Sequence, residues 1–204
     1  MTKRTTRRTF LRESFLVAAG AAGGTVLPAI LHSFGPYPVK GAVTNAKTTS
    51  SGAEKRLIEL GIKLPPTPKP VAVYVPAVVF GNTLYTSGHG PRQANGKMVQ
   101  GKVGGELTLE QGKAAARVVG LNVLSTVRST IGSLDKVVRL VKVLGMVNCT
   151  TDFTQQPQVI NGFSELMVDV FGPQNGKAAR SAVGMGSLPS NIPVEIEAIF
   201  EVRV

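Results

Sequence analysis

The run Ala179-Arg180-Ser181-Ala182-Val183-Gly184, followed by Leu188-Pro189 and then Val194-Glu195-Ile196-Glu197-Ala198-Ile199-Phe200, decides how this chain is read. An arginine opens an apolar, small-residue strand, a Leu-Pro turn reverses the chain, and a second strand follows. Strand side chains alternate sides, so Glu195 and Glu197 share one face while Val194, Ile196 and Ala198 take the other. A lone guanidinium near such a carboxylate can hold a small acid by its fork and leave the glutamate for proton work. A structural ion pair at a sheet edge would use the same residue types.

Working outward, Asp135 to Val147 can be read two ways. Lys136, Arg139 and Lys142 recur at helical spacing, whereas the valine-rich composition favours a strand. Before it, Thr108 opens a long helix, Gln111 completes a Thr-x-x-Gln capping box, and Gly132 marks the end. Ala116, Val119, Val123, Val127 and Ile131 form the apolar stripe of that helix, and Gly112 and Gly120 allow close packing on a sheet. A second helix spans about Pro157 to Phe171, buries Ile160, Phe163, Met167 and Val170, and stops at Gly172-Pro173. Two strands, about Val75 to Phe80 and Thr83 to Ser87, meet at a tight Gly81-Asn82 turn. Gly96 to Lys102 is a third short strand or a loop. The last two strands cover about Arg180 to Ser187 and Pro193 to Arg203. Ala53 to Gly61 forms a short helix, and Pro65 to Pro70 is a stiff connector laid over the surface. The expected architecture is α+β, a mixed sheet with two helices on one face. Apolar residues on the other face require a covering partner.

The chain has 204 residues and a formal net charge of +11. Seven basic residues against Glu13 precede Ser50, and the rest carries 16 basic and 11 acidic groups. That residual balance is a weak argument for nucleic acid. Thr6-Arg7-Arg8-Thr9-Phe10-Leu11-Arg12 before a Gly/Ala-rich apolar stretch reads as a twin-arginine signal, which implies export to the periplasm by the Tat machinery. Residues 1–46 are accordingly assigned to leader and linker and 53–204 to the domain. No single small-x-small cleavage site stands out between Gly35 and Ala46. With Cys149 alone no intrachain disulfide can form, and with two histidines a metal site has few ligands to draw on.

Arg-Ser-x-Val, the Leu-Pro turn and the Val-Glu-Ile-Glu-Ala-Ile strand resemble the C-terminal signature of the Rid family, also called YjgF, of reactive-intermediate deaminases. Tyr74-Val75-Pro76-Ala77-Val78, Gly81-Asn82 and Thr86-Ser87-Gly88-His89-Gly90-Pro91 are similar to its first hairpin. Val159-Ile160-Asn161-Gly162 and Phe171-Gly172 are similar to its second helix. The resemblance runs from Ala53 to Val204 and points to the longer YjgF/chorismate-mutase-like branch. It makes the Asp135 segment a strand and implies a chorismate-mutase-like two-layer fold, packed as a homotrimer with three equivalent intersubunit clefts.

By this resemblance Arg180 binds the substrate carboxylate and Glu195 positions or activates water. Tyr74 closes the cleft from the neighbouring chain, Ser87 and Asn161 line it, and the Gly88 backbone contributes a donor. The implied reaction is hydrolysis of a small carboxylate-bearing 2-imino acid to a 2-keto acid and ammonia, with no cofactor and no metal. Ala182 stands where many deaminating members have cysteine, and His89 where glutamine is common. The residues also admit plainer roles: Ser87 as a strand end, Asn161 as an exposed helix residue, Tyr74 as a core aromatic. Three other functions remain as alternatives. One is a non-catalytic small-ligand binder, another is an endoribonuclease, and the third, a chorismate mutase, rests on fold analogy alone. The absence of a His pair and of an aromatic RNA-binding motif weighs against the ribonuclease.

Overall fold

The structure, a computed structural model, describes residues 52–69 and 72–204. The leader, its twin-arginine motif and most of the linker lie outside the described residues.

Residues Ala77–Phe80 (β1) and Thr83–Thr86 (β2) form an antiparallel hairpin, closed at Gly81 with φ 59°. This left-handed backbone favours glycine, which has no Cβ to clash. Helix α2, Leu109–Ile131, follows a meandering segment, and strand β3 covers Val137–Asn148. After α3, Gln156–Gly176, come β4, Ala179–Met185, and β5, Val194–Val202. The sheet order is β1-β2-β5-β3-β4, with only the β3–β4 pair parallel. The chain does reverse after β4, but β3 lies between the two C-terminal strands. Helices α2 and α3 cover one face, and a short helix α1, Ala53–Glu59, joins them. Its Arg56 Nε donates to the Asp169 carbonyl at 2.7 Å, and Glu54 Oε1 accepts from Leu134 N at 2.9 Å.

The capping box of α2 is formed in both directions. Thr108 Oγ1 accepts from Gln111 N at 3.2 Å, and Gln111 Oε1 accepts from Thr108 N at 2.8 Å. Such a cap is worth about 1 kcal/mol. The five residues of the expected α2 stripe and the four of the α3 face are all buried in one core with Leu84, Leu140 and Phe200. Gly112 and Gly120 do allow close packing, but not on the sheet: Gly112 meets Val103 of the preceding segment and then Val159 of α3, and Gly120 meets α3. The space beside Gly120 is taken by Leu166, Phe163 and Met167.

Two expected boundaries move and one holds. Residues 96–102 form no strand and hold only an isolated Arg92–Met98 bridge. The first run of α3 does end at the expected Gly172-Pro173: Gly172 (φ 76°, ψ 164°) is non-helical, and a separate turn from Pro173 carries the element on to Gly176. Proline is tolerated there because it opens a new first turn, where its missing N–H has no partner to lose. In β1 and β2 the paired region is shorter than expected, starting at Ala77 and ending at Thr86. The proline connector lies on α2 as expected, with Ser125 Oγ donating to the Pro65 carbonyl at 2.8 Å.

Strand parity divides the sheet into two surfaces. On β5, Val194, Ile196, Ala198, Phe200 and Val202 are buried against the helices, while Glu195, Glu197, Ile199 and Glu201 look the other way. Partners in the ladder share a face, so Val78, Tyr85 and Ile199 line the open side, as do Phe80, Thr83 and Glu201. Val78 is 51% exposed and Phe80 79%.

The tightest helix contact lies at Gly162 of α3, where a Cβ would overlap the Lys113 carbonyl of α2. Backbone cannot rotate away as a side-chain tip can. Gly162→Ala is therefore expected to cost about 1–3 kcal/mol of stability, as overpacking does. Urea unfolding should show this, whereas Gly81→Ala, in an open turn, should show only the smaller left-handed backbone penalty.

Candidate functional site

A cleft of about 410 Å³ opens where the end of β2 meets β5, lined among others by Tyr74, Ser87, Gly88, His89, Arg92 and Glu195. Its shape begins with a mismatch in the ladder. Tyr85 pairs Ile199, but the next bridge joins His89 to Ile196. Three residues, 86–88, thus face two on β5, which makes a bulge. Thr86 Oγ1 fills the gap by accepting from Ala198 N at 3.0 Å. Ser87 turns back to the segment before β1, its N–H on the Pro76 carbonyl at 2.9 Å and its hydroxyl on the Val75 carbonyl at 2.6 Å. The serine does more than end a strand. Its proton is committed, so its oxygen faces the cleft as an acceptor.

Gly88 sits against the glutamate. A Cβ there would overlap Glu195 Oε1, so the carboxylate occupies the volume that any other residue would fill. Partial burial lifts the Glu195 pKa above the ordinary carboxylate value, and the nearby Glu197 charge adds to the rise. A base whose pKa is raised toward the working pH suits proton transfer in both directions. Tyr74 is 43% exposed at the cleft and is not a core aromatic.

His89 forms the inner wall. It is buried, with Nδ1 2.7 Å from the Ser87 carbonyl and Nε2 2.8 Å from Thr126 Oγ1 on α2. A carbonyl can only accept, so Nδ1 carries the proton and Thr126 donates to Nε2 in the neutral ring. Burial lowers the pKa, outweighing the Ser87 carbonyl, which raises it. The imidazole is thus a neutral tie between the bulge and the helix layer. A glutamine has the donor and acceptor for similar contacts.

Arg180 and Asn161 lie elsewhere. Arg180 pairs Val143 of β3, which pairs Ala198, so Arg180 is on the helix side of the edge strand. Its Nη1 donates to Asn161 Oδ1 at 2.9 Å and to Ser164 Oγ at 3.0 Å. Asn161 is therefore a holder of the arginine rather than an isolated exposed residue. Ser164, one helical turn on, was missed from sequence, where an i, i+3 pair of polar residues beside a buried stripe was the available signal. Among the described residues Nη2 and Nε have no protein partner, so the outer part of the fork is open to a ligand.

Glu195 pairs Met146, three residues along β3 from Val143, and β4 lies two strands from β5. At strand spacings the two Cα atoms are about 14 Å apart, with side chains on opposite faces. The structural ion pair between them is excluded within one chain. Tyr74, Ser87, Gly88 and Glu195 form one cluster, and Arg180, Asn161 and Ser164 another. Among the described residues no group of three or more His, Cys, Asp or Glu is placed to hold a metal ion.

A two-layer α+β domain with a carboxylate cleft at a strand bulge and a helix-held arginine on the far edge defines a narrow class. The chain belongs to the YjgF/Rid family: residues 54–196 match the family model described as "YjgF/chorismate mutase-like, putative endoribonuclease". It is 42% identical to Protein TCP17 of Trypanosoma cruzi over 72% of this chain and 92% of that protein. It is 31% identical to a 2-iminobutanoate/2-iminopropanoate deaminase of Dermatophagoides farinae, over 70% of this chain and 95% of that one. A crystal structure of a protein of unknown function from Agrobacterium tumefaciens, Atu1372, superposes with a TM-score of 0.67. The two share 41% identity, over 74% of this chain and 92% of the other.

Two titrations follow from the site. Glu195 should titrate above the ordinary glutamate value, and Glu197→Gln should bring it only part of the way down, because burial is the larger cause. Carbon-detected NMR of the side-chain carboxyls reads both. For His89 the folded pKa lies below the unfolded one, near 6.5. The neutral ring's contribution is intact above that value and is lost as pH falls through it, because the unfolded chain takes up the proton first. His89→Gln should flatten this acid-side loss when urea midpoints at pH 7.5 and 5.5 are compared.

Proposed function

We propose that the protein is an imine/enamine deaminase acting on a small carboxylate-bearing 2-imino acid, at clefts completed between copies of the chain. The observation that carries the reading is the division of the site: a glutamate packed against Gly88 on the open face of the middle strand, and an arginine with an open fork on the β4 edge. Placing the β4 edge of a neighbouring copy over the Glu195 cleft would bring the two halves together. The open sheet face supports such packing, since Val78, Phe80, Tyr85 and Val183 expose apolar surface that water solvates poorly. A homotrimer with three equivalent clefts closes this heterologous contact into a ring.

In this scheme Arg180, held by Asn161 and Ser164, grips the substrate carboxylate and fixes the C=N carbon beside Glu195. Glu195 takes a proton from water as its oxygen adds to that carbon and passes the proton to the imine nitrogen, giving a carbinolamine. Glu195 then takes the proton of the carbinolamine hydroxyl, the C–N bond breaks as the C=O bond forms, and that proton goes to the departing nitrogen, which leaves as ammonia. One water enters, and a 2-keto acid and ammonia leave. Ser87 Oγ and the Gly88 backbone orient the polar groups, and Tyr74 covers the opening. The scheme needs no cysteine, so Ala182 is compatible with it. The deaminase name of the 31% identical relative supports the chemistry. The endoribonuclease wording of the family description gains little from the site, which offers one neutral histidine in place of an acid–base pair. The basic leader supports export by the twin-arginine route, with action on an imine outside the cytoplasm.

Ammonia release from freshly generated 2-iminopropionate and 2-iminobutanoate is the direct test. Arg180→Ala and Glu195→Ala should each lose turnover while keeping fold and assembly. Mixed after unfolding and refolding, the two inactive chains should recover about one quarter of wild-type activity, because a random trimer pairs an intact Glu195 with an intact Arg180 at about one cleft in four. No recovery from well-folded mixed trimers would overturn the shared cleft. A wild-type trimer that binds 2-keto acids but turns over no imine would favour the ligand-binder reading.

A further inference from the structure

The cleft carries more positive charge than hydrolysis of a three-carbon imino acid requires. Besides Glu195, the neutral His89 and the Tyr74 phenol, its ionisable lining consists of Lys69 and Arg92. Neither is within ion-pair distance of an Asp or Glu among the described residues, whose four pairs all lie elsewhere. Arg92 is partly buried and held at two points. Its Nη1 donates to the Gly96 carbonyl at 3.0 Å, and its own carbonyl accepts from Asn122 Nδ2 at 2.9 Å. Asn122 is 1% exposed in α2 and also holds the Gly90 carbonyl at 3.2 Å, so the path from Gly88 to Arg92 is fixed to the helix layer. An arginine placed on a rigid segment, partly desolvated and lacking an acidic partner, is arranged to meet an anion from outside.

Much of the remaining lining is apolar: Pro76, Met98, Pro189 and Ile192 belong to the same cleft. A volume of about 410 Å³ far exceeds what a three-carbon acid fills. Gly88 touches the Glu195 carboxylate, and Arg92 is four residues further on, at most ~13 Å along an extended chain. Glu195 and Arg92 thus line one cleft, close enough together for a single small ligand to reach both.

We propose that Arg92, assisted by Lys69, binds a second anionic group at the far end of the substrate, so that the preferred 2-imino acids carry a carboxylate or phosphate on the side chain. This rests on the deaminase reading, with Arg180 of a neighbouring copy holding the first carboxylate, but it can be tested without turnover. Binding of 2-oxoglutarate, of 3-phosphooxypyruvate and of uncharged-tail 2-oxopentanoate to the full chain is measured by calorimetry, for wild type, Arg92→Gln and Arg92→Lys. Wild type should bind at least one of the two anion-tailed acids at least about tenfold more tightly than 2-oxopentanoate, the scale of one partly buried charge-assisted contact. Which of the two wins decides between carboxylate and phosphate. Arg92→Gln should erase the preference and Arg92→Lys restore part of it, with Lys69→Gln giving a smaller loss. Equal binding of all three acids by wild type, or a preference that survives Arg92→Gln, would overturn the proposal. Turnover of the corresponding imines is measured in parallel. Anion-selective binding without turnover would reject the deaminase reading and keep this site, whereas turnover without anion selectivity would do the reverse.

Discussion

The alternation along β5 is the constraint on which the rest depends. As the middle strand of five, it carries Val194, Ile196, Ala198, Phe200 and Val202 into the helix layer, and every one is nearly inaccessible. A slip of one residue would bury Glu195, Glu197 and Glu201 and expose the core, which no side-chain adjustment could repair. The register that builds the core is therefore the one that fixes Glu195 on the open surface. Through Ala198 and Val143 it also fixes Arg180 on the opposite surface. Core and site are set by the same pairing, so the separation of glutamate from arginine within the chain is a consequence of folding.

The glutamate would remain an ordinary surface carboxylate without the bulge at 86–88. The extra residue lifts Ser87 and Gly88 off the ladder and leaves room beside Glu195 that only glycine keeps open. Bulges bend a strand and re-aim its side chains, and this one is held on three sides. Thr86 bonds to β5, Ser87 to the segment before β1, and His89 to α2. The arginine is held in a comparable way by two groups one helical turn apart on α3. Preorganisation of this kind suits an electrophilic substrate, for which orientation and one placed water matter more than a strong nucleophile.

Much of this was legible in the sequence. The caps of α2, both helical stripes and the core side of β5 are local patterns, written in the spacing of Thr108, Gln111, Gly132 and the apolar residues. What was less legible has identifiable causes. In β3 the three-residue spacing of Arg139 and Lys142 imitates a helix because the ladder shifts register between Val137 and Arg139 and again between Leu140 and Lys142. Each shift resets the alternation, so both cations reach the open face of a strand. In α3 the Gly-Pro signal marks the break at Gly172, while the separate turn from Pro173 to Gly176 carries no pattern of its own. The insertion of β3 between β4 and β5 is a long-range choice that no turn sequence encodes. Ser164 was missed because its role exists only once β4 lies beside α3.

The 189–192 wall of the cleft is built on different terms from the strand that carries Glu195. Ser190 and Asn191 stand there in the left-handed region, at φ 55° and 53°, a conformation that asparagine accepts and serine adopts at some cost. They are held by the 96–107 segment: Gln100 Nε2 donates to the Ser190 carbonyl at 2.8 Å and Gly101 N to the Asn191 carbonyl at 2.8 Å. Asn148 Nδ2 adds a bond to Asn191 Oδ1 at 3.0 Å. This wall is therefore two irregular segments supporting each other, with the sheet contributing only Asn148. Changes in either segment can alter which side chains meet a ligand without disturbing the pairing that places Glu195 and Arg180. Glu195 is fixed by strand register and the 189–192 wall by loops, so under the proposed reaction the loops can change the substrate while the carboxylate stays in place.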